Sequence, residues 1–239
     1  RNVKMYKEII KLVILIISQP AKAWEMLSLK EDKEEDFLSR FIYPLIGMVT
    51  LAAFLGVLFT RKEFDVELAL KSSIKTLVSF FGGFYLASYL LNELWVSIFK
   101  RVKDMKRWQC FVGYSSSLVY ALTIVLMLLP EFFFLRIFIL YTVYIVWEGA
   151  ESYMGVEENV KLKFVGIVSA VILLAPIIID FLLSSLANCG ISNIAIVVRE
   201  NYHSLMDHLG SGRAWDLLRK NGGLSIFPPY AEKNMKVYS

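Results

Sequence analysis

The sequence predicts an all-α membrane protein, a five-transmembrane-helix bundle with an N-terminal interfacial amphipathic helix and a C-terminal extramembrane tail. Three observations lead to this fold class. Hydrophobic residues fill 56% of the 239 positions, more than the roughly 45–50% that is usual in soluble domains. They are grouped in apolar blocks of about 20 residues, the length that crosses a bilayer. Lys and Arg lie between these blocks, as they do at the ends of membrane-spanning helices.

The first segment, residues 1–39, has the pattern of a helix that lies in the membrane interface. Lys4, Lys7 and Lys11 flank an apolar helical face, and such helices bind at the headgroup level. Trp24 follows as an expected interfacial aromatic anchor. These four residues are therefore candidate lipid contacts, either in a helix that senses anionic lipid or in a surface helix packed on the bundle. A charged linker completes the segment.

Residues 40–186 are predicted to form the transmembrane bundle. Each apolar run is bounded by polar or charged residues. Small residues at helix surfaces allow close approach of another helix. The predicted spans are 41–60, 72–99, 112–129, 132–147 and 164–186. The glycines expected at helix contacts are Gly47, Gly56, Gly82 and Gly83.

The charge distribution predicts the orientation. The densest basic loop, residues 100–107, contains five Lys and Arg residues, which favours the cytoplasm. Two spans precede this loop, so the N-terminus is also expected in the cytoplasm. With five spans the C-terminus is then extracytoplasmic. The first connection, residues 61–75, carries four basic residues and argues against this orientation.

One set of polar residues is the predicted intramembrane site. Polar side chains in apolar helices are costly in lipid and are expected to have partners inside a bundle. Glu148 and Glu151 lie three residues apart on one helical face, although ordinary interfacial carboxylates would have the same spacing. The candidate cluster joins the third and fourth spans. Its members are Gly113, Tyr114, Ser115, Tyr141, Tyr144, Glu148 and Glu151.

The tail, residues 187–239, is predicted to lie outside the membrane, with helices at 191–209 and around Trp215. Its candidate partner-binding residues are Trp215, Phe227 and Tyr230. The two histidines of the chain lie in the tail but do not share a helical face with a third ligand, so no metal site is predicted. The sequence also contains no catalytic set and no cofactor motif.

Several short motifs resemble the bacterial branch of the Yip1 family of membrane proteins. They are Ser18-Gln-Pro-Ala-Lys-Ala-Trp24, Phe41-Ile-Tyr-Pro-Leu-Ile-Gly47, Gly113-Tyr-Ser-Ser116 and Tyr141-Thr-Val-Tyr-Ile-Val-Trp-Glu-Gly149. The resemblance covers roughly residues 9–186. It implies five helices, a cytoplasmic N-terminus and a C-terminus across the membrane. The tail has no counterpart in this resemblance.

These patterns favour a non-enzymatic integral membrane protein that acts as an adaptor or accessory subunit of an inner-membrane assembly. Its expected partners are the lipid bilayer and a membrane protein or a second copy of the chain, with no nucleic acid and no cofactor. The alternative is a small-molecule or lipid transporter or channel with a polar site between spans three and four. A polar cavity at membrane depth would support the alternative, whereas a solidly packed bundle would support the adaptor.

Overall fold

The computed structural model describes residues 2–29, 37–60, 65–188, 193–197 and 223–227. The chain divides into two compact units, Arg1–Leu182 and Leu183–Ser239. The described residues of the first unit form helices joined by short connections. The α-helices are α1 (Asn2–Ser18), α2 (Pro20–Ser28), α3 (Tyr43–Thr60), α4 (Val66–Phe99), α5 (Met105–Ser115), α6 (Ser117–Leu128), α7 (Thr142–Ser152) and α8 (Glu158–Asn188), of which residues 183–188 belong to the second unit. A π-helical turn, Leu38–Ile42, precedes α3, and a 3-10 helix, Pro130–Tyr141, precedes α7.

Four helical stretches in the described part of the chain are long and apolar enough to cross a membrane. They are Leu38–Phe59, Val66–Phe99, Pro130–Ser152 and Glu158–Ser185. The pair α5 and α6 also passes this test, but it is bent by 40° at the break between them. The described chain therefore has four candidate spans, or five if the bent pair is one span. The sequence predicted five, and it did not predict the bend.

Helix α1 packs on the bundle through one face. Ile9, Val13 and Ile16 are buried, and α1 contacts α2 and α6. Its lysines Lys4 and Lys7 are exposed, and so is Lys11. The apolar face that the sequence assigned to the membrane interface is thus covered at least in part by protein, as expected for a surface helix packed on the bundle.

The ends of the long helices are fixed by short-range hydrogen bonds. The Asp65 carboxylate accepts from the Leu68 backbone N–H at 2.8 Å and begins α4. The Asp104 carboxylate accepts from the Arg107 backbone N–H at 3.0 Å and begins α5. Each carboxylate satisfies a backbone donor that the first helical turn leaves free. Each carboxylate therefore fixes the residue at which its helix begins.

Glycines allow two pairs of helices to approach closely. A Cβ on Gly83 of α4 would lie 2.8 Å from the Pro176 backbone of α8, too close for any side chain. A Cβ on Gly56 of α3 would overlap the backbone of Met127 in α6. Because only glycine fits at these two positions, α4 packs on α8 and α3 packs on α6 backbone to backbone.

The second unit contains two parallel strands, β1 (Asn193–Val197) and β2 (Gly223–Phe227), in which Asn193 lies opposite Gly223. The sequence predicted a helix over 191–209, and this was wrong at β1. Its run Ile194-Ala-Ile-Val197 is rich in β-branched residues, which favour strands when a partner strand is available. The all-α class therefore holds for the described residues of the first unit and not for the second.

Candidate functional site

Trp24 lies at the centre of an aromatic cluster at one end of the bundle. Its indole stacks on Phe111 with ring centroids 4.9 Å apart and contacts Tyr153 at 5.2 Å. Its Nε1–H donates to the backbone carbonyl of Ile145 at 2.8 Å. The residue is wholly buried. The prediction that Trp24 anchors the chain in the membrane interface was therefore wrong, because protein groups satisfy both its ring and its polar atom.

The aromatic cluster continues into α5 and α8. Trp108 and Phe111 are buried, and both rings contact Phe164 at about 6 Å. Aromatic pairs at such distances add stabilisation beyond the area that they bury. The cluster thus joins α2, α5 and α8 at the end of the bundle where α5 begins.

Gly113 and Tyr114, from the predicted polar cluster, are part of this packed region. A Cβ on Gly113 would lie 2.5 Å from Ile42 and 2.6 Å from Phe37. The ring of Tyr114 is 4.9 Å from Phe37 and 5.0 Å from Phe41. These two residues therefore mediate contact between α5 and the beginning of the first span.

Tyr141, Tyr144 and Glu148 lie along the other side of the predicted cluster. The Tyr141 and Tyr144 rings are 5.3 Å apart, and the Tyr144 hydroxyl interacts with the Glu148 carboxylate one turn further on. Tyr144 is 45% exposed, whereas Tyr114 is 4% exposed. Gly113 and Tyr114 of the predicted cluster thus belong to a buried aromatic contact, whereas Tyr144 lies on a surface of α7.

Glu151 has a partner that the sequence argument missed. The Lys161 ammonium lies 3.1 Å from the Glu151 carboxylate and 3.4 Å from that of Glu158. It also lies 4.8 Å from the ring of Trp147. Lys161 is buried, while both carboxylates are exposed. Lys161 follows Glu158 by three residues at the start of α8, and this helical spacing could have revealed the Glu158–Lys161 pair. It gives no signal for the contact with Glu151.

Buried hydroxyl groups flank the break between α5 and α6, and another begins α7. The oxygens of Ser115, Ser117 and Thr142 are buried and have no hydrogen-bond partner among the described residues. Ser116 instead donates to the Val112 carbonyl at 2.7 Å. A cavity of about 10 Å³ lies beside this break and is lined in part by Tyr120. Of the predicted cluster, Ser115 alone is at this position.

The remaining questions are metal binding and the candidate residues of the tail. Among the residues that the structure describes, no group of three or more His, Cys, Asp or Glu side chains could hold a metal ion. Trp215 and Tyr230 lie outside the described residues, as do both histidines. Phe227 ends β2, and its backbone alone is described. The tail candidates therefore stay predictions.

Comparison with known proteins gives two separate findings. Glycogen biosynthesis protein GlgD of Geobacillus stearothermophilus is 59% identical over 51 residues, which are 21% of this chain and 15% of that protein. The GlgD protein of Bacillus subtilis is 53% identical over 51 residues, with the same coverage. Glucose-1-phosphate adenylyltransferase of Thermotoga neapolitana is 46% identical over 57 residues, 24% of this chain and 14% of that enzyme.

The chain thus spans about one seventh of the length of these curated relatives. No solved structure matches the chain.

The second finding covers far more of the sequence. The model of the Yip1 domain matches residues 14–179, a range that includes the bundle from α1 into α8. On this match the chain belongs to the Yip1 family, as the four sequence motifs indicated.

Proposed function

We propose that this protein is a non-enzymatic adaptor or accessory subunit of a membrane assembly, located in the bacterial inner membrane. The packing between the spans carries this proposal. The cavity lined by Gly83, Ser116 and Pro176 has a volume of about 10 Å³, close to the minimum for one water molecule. A protein that carries a solute through its interior needs a larger polar cavity. This packing supports a role in which the surface of the bundle, and not its interior, binds the partner.

The surface of α3 is the candidate face for that partner. Space is open around Gly47, where a Cβ would meet nothing within 4 Å. Leu51, one turn further on, is 56% exposed. Gly56 and Gly83, in contrast, are already covered by helices of the same chain. An exposed small residue beside an exposed apolar residue suits docking of a second transmembrane helix.

Photocrosslinking in native membranes tests this role. A photoreactive residue at Leu51 is expected to give a reproducible adduct with one protein or with a second copy of the chain. The matched control is the same group at Leu140, which is 62% exposed on the 3-10 helix and is expected to give lipid adducts. The adaptor role would be rejected if Leu51 also gave lipid adducts only and Gly47→Leu left the native size of the complex unchanged.

The unpaired hydroxyls of Ser115, Ser117 and Thr142 favour a second candidate, a transporter or channel with a site between the third and fourth spans. Unpaired polar atoms at a helix break occur where transporters bind their substrates. In a background with both cysteines replaced by alanine, Ser115→Cys tests for a water-filled path. Labelling by a membrane-impermeant maleimide would support the transporter, and its absence the adaptor. Ser152→Cys, at an exposed position of α7, is the positive control for labelling.

The short matches to glycogen biosynthesis proteins suggest an origin for the second unit. The Yip1 match ends at residue 179, and 60 residues follow it, enough to hold a matched stretch of 57 residues. Parallel strands joined by a crossover are typical of α/β enzymes, and β1 and β2 are parallel. We therefore infer that residues 180–239 contain the stretch that is similar to these proteins.

This stretch covers 14% of the adenylyltransferase, so we propose that it retains no adenylyl transfer. The purified full chain is expected to leave labelled glucose 1-phosphate unchanged under conditions in which the Thermotoga enzyme converts it. Conversion above the background of a mock preparation would contradict the non-enzymatic proposal and would place the activity in the second unit.

The orientation is a further part of the proposal. Five crossings place a cytoplasmic N-terminus and an extracytoplasmic C-terminus on opposite sides of the membrane. Four crossings, with α5 and α6 as a re-entrant pair, place both ends on one side. Fusions of green fluorescent protein and of alkaline phosphatase after residue 188 distinguish the two arrangements. Phosphatase activity without fluorescence would support five crossings.

A further inference from the structure

A groove opens where α4 ends and α8 begins. Its volume is about 290 Å³, and its wall includes Trp95, Phe99 and Val160. Both helices are candidate membrane spans, so the groove lies at the level where a span leaves the bilayer. Trp and other aromatic residues are favoured at that level. The volume is at the small end of the range for ligand sites, which suits a compact head group.

The rim of the groove is basic. Lys100 and Arg101 line it, together with Glu157. The Arg101 guanidinium lies 3.6 Å from the Glu157 carboxylate, a distance that is too long for a strong hydrogen bond. A guanidinium has five N–H donors, so one carboxylate leaves most of them available. Three more cations follow within residues 100–107, and the region has an excess of positive charge.

Lys100 is held in an unusual backbone conformation. Its φ is 52°, and it is the only non-glycine residue with positive φ in the described part of the chain. Its backbone N–H donates to the Val96 carbonyl, and the backbone N–H of Arg101 donates to the Trp95 carbonyl. These two hydrogen bonds end α4. Glycine is the residue that adopts this conformation without cost. A strained lysine at this position suggests that its charge has a function, because strained residues persist at functional sites.

We propose that this groove binds the head group of an anionic phospholipid. Lys100 and Arg101 contact the phosphate, and the first acyl carbons lie against Trp95, Phe99 and Val160. Basic pockets between membrane-spanning helices bind anionic head groups in this way. The proposal requires that α4 and α8 cross the bilayer, and it does not depend on the adaptor role. It also differs from the lipid contacts predicted for α1, which lie on another element.

Native mass spectrometry of the full chain tests this site. The protein is released from nanodiscs that contain phosphatidylcholine and phosphatidylglycerol, and the ratio of the two retained lipids is measured. The wild-type chain is expected to retain phosphatidylglycerol preferentially. The double variant Lys100→Gln/Arg101→Gln should lower that preference by about tenfold or more, because each cation near the surface contributes a factor of about five.

Two further variants separate the site from general charge effects and from misfolding. Lys103→Gln/Lys106→Gln removes the same charge from nearby positions that do not line the groove and should change the preference less than about twofold. Lys100→Gly removes the ammonium and relieves the positive φ, so the preference should fall while thermal stability is equal or higher. Equal losses in the two double variants, or an unchanged preference in Lys100→Gly, would overturn the proposal.

Competition identifies the source of the phosphate. Glycerol 3-phosphate offers the same anion without acyl chains, so an excess of it should leave the bound phosphatidylglycerol in place. Displacement of the lipid by glycerol 3-phosphate would assign the groove to a soluble phosphate ester and would contradict the lipid assignment.

Discussion

The two ends of the α5–α7 hairpin are both rich in aromatic residues, but they have opposite environments. The packed end consists of residues 105–120 and 142–154, in which Trp108, Phe111 and Ile145 are at most 1% exposed. The exposed tip consists of the 3-10 helix Pro130–Tyr141, which has no buried residue among those described. Phe133 and Phe138 there are more than half exposed. Aromatic content alone does not distinguish these regions, since lipid is as apolar as a protein core.

The difference in burial between the two ends comes from glycines that allow close packing and from an indole N–H that forms a hydrogen bond. Gly113 and Gly149 let neighbouring rings approach the backbone of the packed end, and Trp24 adds a hydrogen bond to it. The exposed tip has no glycine. A helix with glycines on its apolar face is thus suited to contact with protein, whereas an apolar helix without glycines is suited to contact with lipid.

The largest expected effect is from truncation of a ring at the packed end. Phe111→Ala should lower the free energy of unfolding by about 3–5 kcal/mol, because it removes contacts with Trp24 and Phe164 and leaves a cavity. Phe133→Ala, at 70% exposure, should change it by less than about 0.5 kcal/mol. Unfolding in mixed micelles with added denaturing detergent measures both variants. Similar losses in the two variants would mean that the tip is also covered in the native protein.

A smaller effect is expected from an added methyl group. In Gly149→Ala the new Cβ would lie 2.5 Å from Trp24 and 2.7 Å from Phe111, and the overpacking should cost about 1–3 kcal/mol. At Gly166 of α8 a Cβ meets nothing within 4 Å, so Gly166→Ala should stabilise the helix by about 0.5–1 kcal/mol. The same micelle assay applies. A stabilising Gly149→Ala would show that the rings around Trp24 are loosely packed.

A third pair of variants compares two buried indoles. Trp24→Phe removes the donor to the Ile145 carbonyl and should cost about 1 kcal/mol. The Nε1 of Trp108 is buried without a partner among the described residues. Trp108→Phe therefore removes an unsatisfied donor and should be neutral or stabilising. Equal destabilisation by the two changes would indicate that ring volume, and not hydrogen bonding, sets the cost.

The smallest effect is expected at the charged border of the packed end. Lys161→Gln removes the pairs with Glu151 and Glu158 and should cost about 1 kcal/mol or less, because both carboxylates are exposed. Lys71→Gln removes an exposed pair with Glu67 and should have an effect of less than about 0.5 kcal/mol. Higher salt should reduce the difference between the variants. A salt-independent loss at Lys161 would indicate that its contact with the Trp147 ring dominates.

The sequence predicted the apolar helices well, because their length and composition depend on local residues alone. It did not predict the break between α5 and α6, since Ser115 and Ser117 are compatible with a continuous helix. Trp24 was placed in the membrane interface because the sequence does not show whether a ring will meet lipid or Phe111. These outcomes depend on contacts between residues that are distant in the chain.

The candidate site was less predictable than the helices. Helical spacing predicts that Tyr144 and Glu148 share one face of α7, and the structure adds Lys161 as the partner of Glu151. The same reasoning joined Tyr114 to this surface, but Tyr114 packs against Phe37 and Phe41. Spacing identifies neighbours within one helix, whereas contacts between helices depend on how the helices rotate as they pack.

The 3-10 helix has a consequence for the membrane in which this protein is stable. A 3-10 helix rises about 2.0 Å per residue and an α-helix about 1.5 Å. Phe132 has non-helical backbone angles and kinks this segment, so the regular part begins at Phe133, and over its roughly nine residues the difference is about 4–5 Å. The stretch from Phe133 to Ser152 is thus about 35 Å long, compared with a hydrocarbon thickness of about 30 Å. The span matches a thin bilayer only when it tilts, and a thicker bilayer is expected to hold it more upright.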